Sequence, residues 1–233
     1  MRLAVLSDIH ANLEALTTAL RLAEEHGADT VVCLGDVVGY GPDPGPCIDL
    51  VRAHCEATVL GNHDEAVAFE RGTQVLPRDG QVAAKRHREQ LSDDHLDWLR
   101  GLPLQHEAYG CTFVHASPDN PADWARLDTF HAVQRQFDAF ETPICFVGHS
   151  HIPAVASSSL GVLRVRRGHR FLADVGSVGQ PRDRDPRLAF ALYDTEAVTY
   201  EIVRAHYDVE KTAIRIAEAD LPSSLAHRLR RGV

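Results

Sequence analysis

Short apolar runs, each closed by a polar or glycine-containing cluster, recur at Leu3–Leu6, Thr30–Leu34, Ala57–Leu60, Thr112–Val114 and Ile144–Val147. Runs this short and this rich in Val, Ile and Leu read as strands buried on both faces. Between the first three lie helix-like stretches. Residues 12–26 place Leu13, Leu16, Leu20 and Ala23 at helical spacing behind Asn12, a favourable N-cap. Residues 44–54 open on Pro44 and Pro46, which suit a first helical turn. Strand, helix, strand, helix, strand predicts parallel pairing through right-handed crossovers, with ligands bound at the carboxyl ends of the strands.

The rest of the chain changes character twice. From about residue 65 to 100 it is polar and mainly helical, which predicts a helical insertion over one side of the site. From 153 onward it turns to β, with strands expected at 153–157, 162–166, 170–174, 188–193 and 198–203 and breaks at Gly161, Gly168 and Asp194-Thr195. A helix is expected over 208–218, and Arg228, Arg230 and Arg231 form a helix end or a frayed tail. Two β-rich halves with helices around them predict two packed sheets covered on their outer faces. The 233 residues fit one large domain, 1–233.

Five polar clusters follow the apolar runs: Ser7-Asp8-Ile9-His10, Gly35-Asp36, Gly61-Asn62-His63-Asp64, His115, and Gly148-His149-Ser150-His151. Each has an ordinary reading when taken singly. Asp-x-His and Gly-Asp are common turns, Asn62 a loop cap, and His115 a hydrogen-bonded core histidine. Together they put Asp, Asn or His at the carboxyl ends of several strands that share one crevice. In extended chain Asp8 and His10 point to the same side, as do His149 and His151. Imidazole nitrogen mixed with carboxylate oxygen suits Mn²⁺, Fe²⁺ or Zn²⁺ better than the oxygen-seeking Ca²⁺ and Mg²⁺. The cysteines, at 33, 47, 55, 111 and 145, form no CxxC pair and stand outside the clusters. That disfavours a closed structural zinc site and points to buried free thiols.

The order Asp-x-His, Gly-Asp, Gly-Asn-His-Asp, His and Gly-His-Ser-His over residues 7–151 resembles the calcineurin-like metallophosphoesterase superfamily. Within it, Gly35–Pro42 and Gly176–Asp183 are similar to its small prokaryotic phosphodiesterase branch. The resemblance implies a four-layer αββα double β-sandwich of two mixed sheets flanked by helices, in the α+β/α/β class. It implies two divalent transition-metal ions, manganese first, with iron or zinc as alternatives. Asp8, His10 and His151 would hold one ion, Asn62, His115 and His149 the other, and Asp36 would bridge them. His63 matches the motif histidine that lies beside the scissile phosphate without binding metal. The implied activity is hydrolysis of phosphate esters by a metal-bridging hydroxide, with small nucleotide-type diesters as substrates.

Phosphoprotein phosphatases of the superfamily carry Gly-Asp-x-Val-Asp-Arg-Gly, and the second Asp and the Arg of that motif are here Gly39 and Tyr40. Their next motif ends in Glu where this chain has Asp64. A phosphomonoesterase or phosphoprotein phosphatase is therefore the alternative, and a non-catalytic binding module on the same fold a more distant one. Related proteins suggest a homodimer.

Some positions keep two readings. Asp64 either orients the His63 ring or caps a helix. Arg182, beyond the Gly176-Ser177-Val178-Gly179 turn, either meets substrate phosphate or is an ion-paired arginine of the charged run Arg182–Arg187. Tyr40 is a candidate stacking surface for a base. Histidines 26, 54, 87, 95, 106, 131, 169, 206 and 227 lack ligand spacing and receive no role. A formal net charge of −9 excludes a broad basic surface for nucleic acid. No apolar run approaches the ~18 residues of a membrane span, and the apolar start is too brief for a signal peptide, so a cytoplasmic protein is expected.

Overall fold

The computed structural model describes residues 1–233. β1 (Arg2–Leu6) is followed by α1 (Leu13–Glu25), β2 (Thr30–Cys33), α2 (Pro44–His54) and β3 (Ala57–Thr58). Next come α3 (Asn62–Phe69), a 3-10 turn (Thr73–Val75), α4 (Arg78–Gln90) and α5 (Asp93–Arg100). β4 (Gln105–Ala108), β5 (Cys111–Val114), a second 3-10 turn (Pro121–Asp123) and α6 (Phe130–Gln136) lead to β6 (Ile144–Val147). β7 (Ala154–Ser157), β8 (Phe171–Asp174), β9 (Leu188–Asp194), β10 (Thr199–Ala205), α7 (Val209–Glu218) and α8 (Ser223–Arg231) complete the order.

The strands make two five-stranded sheets, ordered β10-β9-β1-β2-β3 and β4-β5-β6-β8-β7. The first is parallel at its β1-β2-β3 side and antiparallel at its β9-β10 side, and the second has a parallel centre with antiparallel flanks. β1, β2 and β3 run parallel with β9 antiparallel to β1, and β5, β6 and β8 run parallel between antiparallel β4 and β7. This is the double β-sandwich expected from the sequence.

Strand alternation makes the layers. Leu3 and Val5 of β1 pack across the sandwich on Phe113, Ile144 and Phe146, whereas Ala4 and Leu6 face a second core with Leu16, Ala19 and Ile48 of the helices. On the other sheet Val114, Cys145 and Val147 turn outward to Phe137 and Phe140. A register slip of one residue would exchange these cores, so the apolar runs must be buried on both faces. Val67 of α3, Ala84 of α4 and Leu99 of α5 join the helical core, which sets residues 62–100 against the first sheet. No helix is long and apolar enough to cross a membrane.

Local signals mostly act as expected. The Asn12 side chain accepts from the Ala15 N–H at 3.2 Å, so Asn12 caps α1. Residues 162–166, however, form no strand. Val162 and Val165 pack against the inter-sheet core without a ladder, and their apolar spacing records burial alone. Strand β4, whose residues are Gln, His, Glu and Ala, has no apolar signal and exists through its pairing with β5. Arg228, Arg230 and Arg231 end a packed helix rather than a frayed tail: Leu225 and Leu229 are buried, and Arg230 pairs with Glu210 at 2.7 Å.

Candidate metal centre

Both sheets deliver side chains to one place. Asp8 and His10 follow β1, Asp36 follows β2, Asn62 and His63 begin α3 after β3, His115 follows β5, and His149 and His151 follow β6. Asp8, His10 and His151 offer ligand atoms all within 4.8 Å of one another, as do Asp8, Asp36 and His115. The candidate ligands are buried except Asn62 and His149, which are partly exposed.

Strand alternation does not aim these groups. Asp8, His10, Asp36, His149 and His151 have φ of 53°, 49°, 51°, 66° and 63°, all in the left-handed region. The extended-chain account of the Asp8/His10 and His149/His151 pairs is therefore corrected: tight left-handed turns converge the side chains after the strands have ended. Such backbone costs a non-glycine residue roughly 1–3 kcal/mol and persists only where its surroundings over-determine it. Here the surroundings are backbone hydrogen bonds. Asp8 N–H donates to Gly35 O at 3.1 Å, His10 N–H to Asp36 O at 2.9 Å, and Gly179 N–H to Asp8 O at 2.9 Å. At Gly148 a Cβ would overlap the Ser7 hydroxyl, so the turn into His149 needs glycine.

The imidazoles are fixed from behind. His10 Nδ1 lies 3.0 Å from Val38 O, His115 Nδ1 2.8 Å from Leu34 O, and His151 Nδ1 2.5 Å from Gln180 O. A carbonyl only accepts, so each Nδ1 carries the proton and each Nε2 of a neutral ring presents a lone pair. Those lone pairs face one another. His10 Nε2 is 3.2 Å from His151 Nε2, and His115 Nε2 is 3.3 Å from His149 Nδ1 and 3.2 Å from Asn62 Oδ1. Asp8 Oδ1, 3.1 Å from His151 Nε2, is buried without a hydrogen-bond donor, and Asp36 Oδ2 stands 3.7 Å from His10 Nε2 and 3.5 Å from His115 Nε2. Lone pairs crowded around carboxylates fit cations and little else.

The charge balance agrees. Burial opposes ionisation of Asp8 and Asp36, but the neighbouring histidines hold both carboxyls well below the usual range. With no metal counted, burial works against a charge on His115 but Asp36 lifts it to about 10, while burial lowers His149 to about 4 and His151 to about 3. The carboxylates thus draw positive charge into the centre, and His115 is the ring whose proton they hold most strongly.

The sequence matches the calcineurin-like phosphoesterase superfamily domain over residues 1–198. The chain belongs to this superfamily. Calcineurin-like phosphoesterases are metal-dependent phosphoester hydrolases, and the clustered His and Asp groups could hold the ions. An uncharacterized protein of Methanocaldococcus jannaschii is 35% identical, over 97% of this chain and 96% of its own length. A metallophosphoesterase from Sphaerobacter thermophilus superimposes with a TM-score of 0.88 at 35% identity, covering 100% of this chain and 99% of that one. A symmetrical bis(5'-nucleosyl)-tetraphosphatase of Neisseria gonorrhoeae is 31% identical over 48% of this chain and 41% of its own length.

Around the centre of this phosphoesterase lies a cavity of about 230 Å³, lined by His63, Tyr40, Arg182, Glu65, Trp124 and Arg126 among others. His63 is buried, its N–H donates to Asp36 Oδ1 at 2.8 Å, and its ring meets His10 and Tyr40 at 4.9 and 4.4 Å. Gly39, at φ 92°, makes room for it, since a Cβ there would lie 2.5 Å from His63 Nδ1. Burial holds His63 well below its ordinary pKa, so the ring is neutral.

Asp64 does not orient that ring. Its two oxygens accept from Val38 N–H and Gly61 N–H, each at 3.1 Å, which is the capping role. The clamp that the sequence reading missed is His87 of α4. Its Nδ1 accepts from Gly39 N–H at 3.0 Å and its Nε2–H donates to Gly41 O at 2.8 Å, pinning the loop that carries Tyr40. The signal was its place on the buried face of α4 with Gly80, Ala83 and Ala84.

Arg182 reaches the cavity. Within the charged run, Asp183 pairs with Arg204 and Asp185 with Arg187, leaving Arg182 with Gln180 Oε1 at 3.0 Å and a buried Nε without a partner. Tyr40 cannot serve as a stacking surface. It is 2% exposed, with Arg182 and Arg228 at 5.6 and 5.5 Å from its ring and His10 and His63 against it.

Proposed function

We propose that this chain is a dinuclear-metal phosphodiesterase acting on small nucleotide-type esters. Asp8, His10 and His151 would hold one ion, Asn62, His115 and His149 the other, with Asp36 between them. The observation that carries this reading is the set of facing ring nitrogens around Asp8 Oδ1 and Asp36 Oδ2. The mixed nitrogen and oxygen donors favour manganese, with iron or zinc next. Bound divalent ions supply a hydrolytic nucleophile from water near neutral pH and neutralise phosphoryl charge.

The chain's own residues do the rest. Neutral His63 offers a ring N–H as a hydrogen-bond donor to a phosphoryl oxygen, stabilising the charge that develops there by roughly 10²–10³-fold. Arg182, short of partners, binds a phosphate oxygen through its guanidinium. Gly39 and Tyr40 stand where phosphoprotein phosphatases carry an Asp and a phosphate-gripping Arg, and Gly39 is needed to seat His63. The partial likeness to a bis(5'-nucleosyl)-tetraphosphatase supports a nucleotide-type substrate. Residues 1–233 act in this reading as one domain, with 65–100 as an insertion roofing the cavity.

Metal analysis of the purified chain, joined to rates on bis-p-nitrophenyl phosphate and p-nitrophenyl phosphate, tests the proposal. Two ions per chain and faster turnover of the diester are expected. A single ion, or a strong monoester preference, would overturn it.

A further inference from the structure

We propose that Trp124 is the surface on which the nucleobase of the ester stacks, an inference that rests on the nucleotide-ester reading above. Trp124 stands in the loop between β5 and α6, nine residues beyond His115. It is half-buried, and it lines the same cavity as His63 and Arg182. Its ring meets the His115 ring edge-on at 5.8 Å, the one aromatic contact it makes. The platform therefore borders the candidate metal centre directly.

The indole is held in place. Its Nε1–H donates to Glu65 Oε2 at 2.8 Å, and Glu65 lies on α3, two residues beyond His63. Trp124 also has left-handed backbone, φ 53°, which is unfavourable for a bulky side chain. A bracing carboxylate and a strained backbone together fix a large aromatic ring beside the reacting group. The cavity wall also contains exposed Val75 and Pro77, an apolar companion for a flat ring.

The other rings in the cavity are spoken for. His149 and His151 belong to the ligand cluster, His63 is packed against Tyr40 and His10, and Tyr40 is enclosed. Trp124 is the remaining aromatic with a face to offer. Stacking of one base on an aromatic side chain contributes about 1–3 kcal/mol by alanine substitution and tolerates any base. The structure thus assigns selectivity for planar groups, without selectivity among bases.

The test compares two diesters with one leaving group: the p-nitrophenyl ester of thymidine 5'-monophosphate and methyl p-nitrophenyl phosphate. In Trp124→Ala, kcat/KM for the nucleoside ester should fall about 10-fold through KM, and for the methyl ester by less than about 2-fold. Trp124→Phe should keep most of the preference. Equal losses on both esters would show that Trp124 acts by packing on His115, and no loss would remove it from the site; either overturns the proposal.

Binding gives a readout apart from turnover. In Trp98→Phe, Trp124 is the sole tryptophan. Trp98 lies on α5 against the helical core, outside the cavity lining. Thymidine 5'-monophosphate should quench its fluorescence, and inorganic phosphate at the same concentration should not. If the wild-type enzyme hydrolyses neither ester, the phosphodiesterase reading fails, and the quenching comparison still decides the fate of the platform.

Discussion

The ligand cluster and the cavity rim are built in opposite ways. At the cluster, side chains are aimed by backbone: left-handed turns, carbonyls behind three imidazoles, and glycines where a Cβ would collide. At the rim, Trp124 shares the left-handed backbone, but its ring is held by a single side-chain bond to Glu65, and Val75 is 79% exposed. The first region has one arrangement, and on the proposed reading disturbing it should remove function outright. The second can be tuned a residue at a time. On the proposed reading, chemistry is thereby insulated from specificity although the two share a cavity.

The sharpest way to break this contrast is Asp36→Asn. It removes the carboxylate that faces both groups of histidines, and kcat should fall by roughly 10³-fold or more with loss of metal measured by mass spectrometry. A graded loss with metals retained would put Asp36 on the same footing as the rim. His63→Ala should keep the metals and lose about 10²–10³-fold in kcat. Gly39→Ala should approach the same loss by displacing the ring. In the double variant the alanine at position 39 should then add almost nothing, because both changes act through one group.

His87 links the two regions, and its effect is read in stability. Burial lowers its pKa to about 4, and the Gly41 bond only partly offsets this. The unfolded chain therefore takes up a proton first as the pH falls. Stability from this group is present above about pH 6.5 and is lost on the way down to pH 4. His87→Gln should flatten the pH dependence of the unfolding midpoint in that window, by up to about 3 kcal/mol at the wide end. The smallest effect is expected at Glu65. Glu65→Ala frees the indole, and KM for a nucleoside ester should rise about 2–10-fold with kcat unchanged.

Much of the centre was legible because metal chemistry leaves few residue types and strand ends leave few places. The left-handed backbone was not, since Asp and His look the same in sequence whether extended or turned. Positions 162–166 misled for a related reason: Val162 and Val165 are apolar because they are covered, and apolar alternation cannot tell a covered loop from a strand. His87 was hidden among histidines of polar helices, and its meaning appears only once α4 packs over Gly39 and Gly41. Trp124 offered no spacing signal at all, because a lone tryptophan in a loop gains its role from Glu65, 59 residues away.

The place of β9 carries a consequence for synthesis. β1 pairs on one side with β9, and the turn holding Asp8 is closed by Ser177 Oγ and Gly179 N–H, both donating to Asp8 O. At about 5–20 residues per second, roughly 10–40 s separate the appearance of β1 from that of β9 on the ribosome. Throughout that interval the β9 pairing and the Ser177 and Gly179 bonds to Asp8 O are not available to hold the Asp8 turn. If the cluster holds metal as proposed, its complete geometry is available only once the chain has been made through β9.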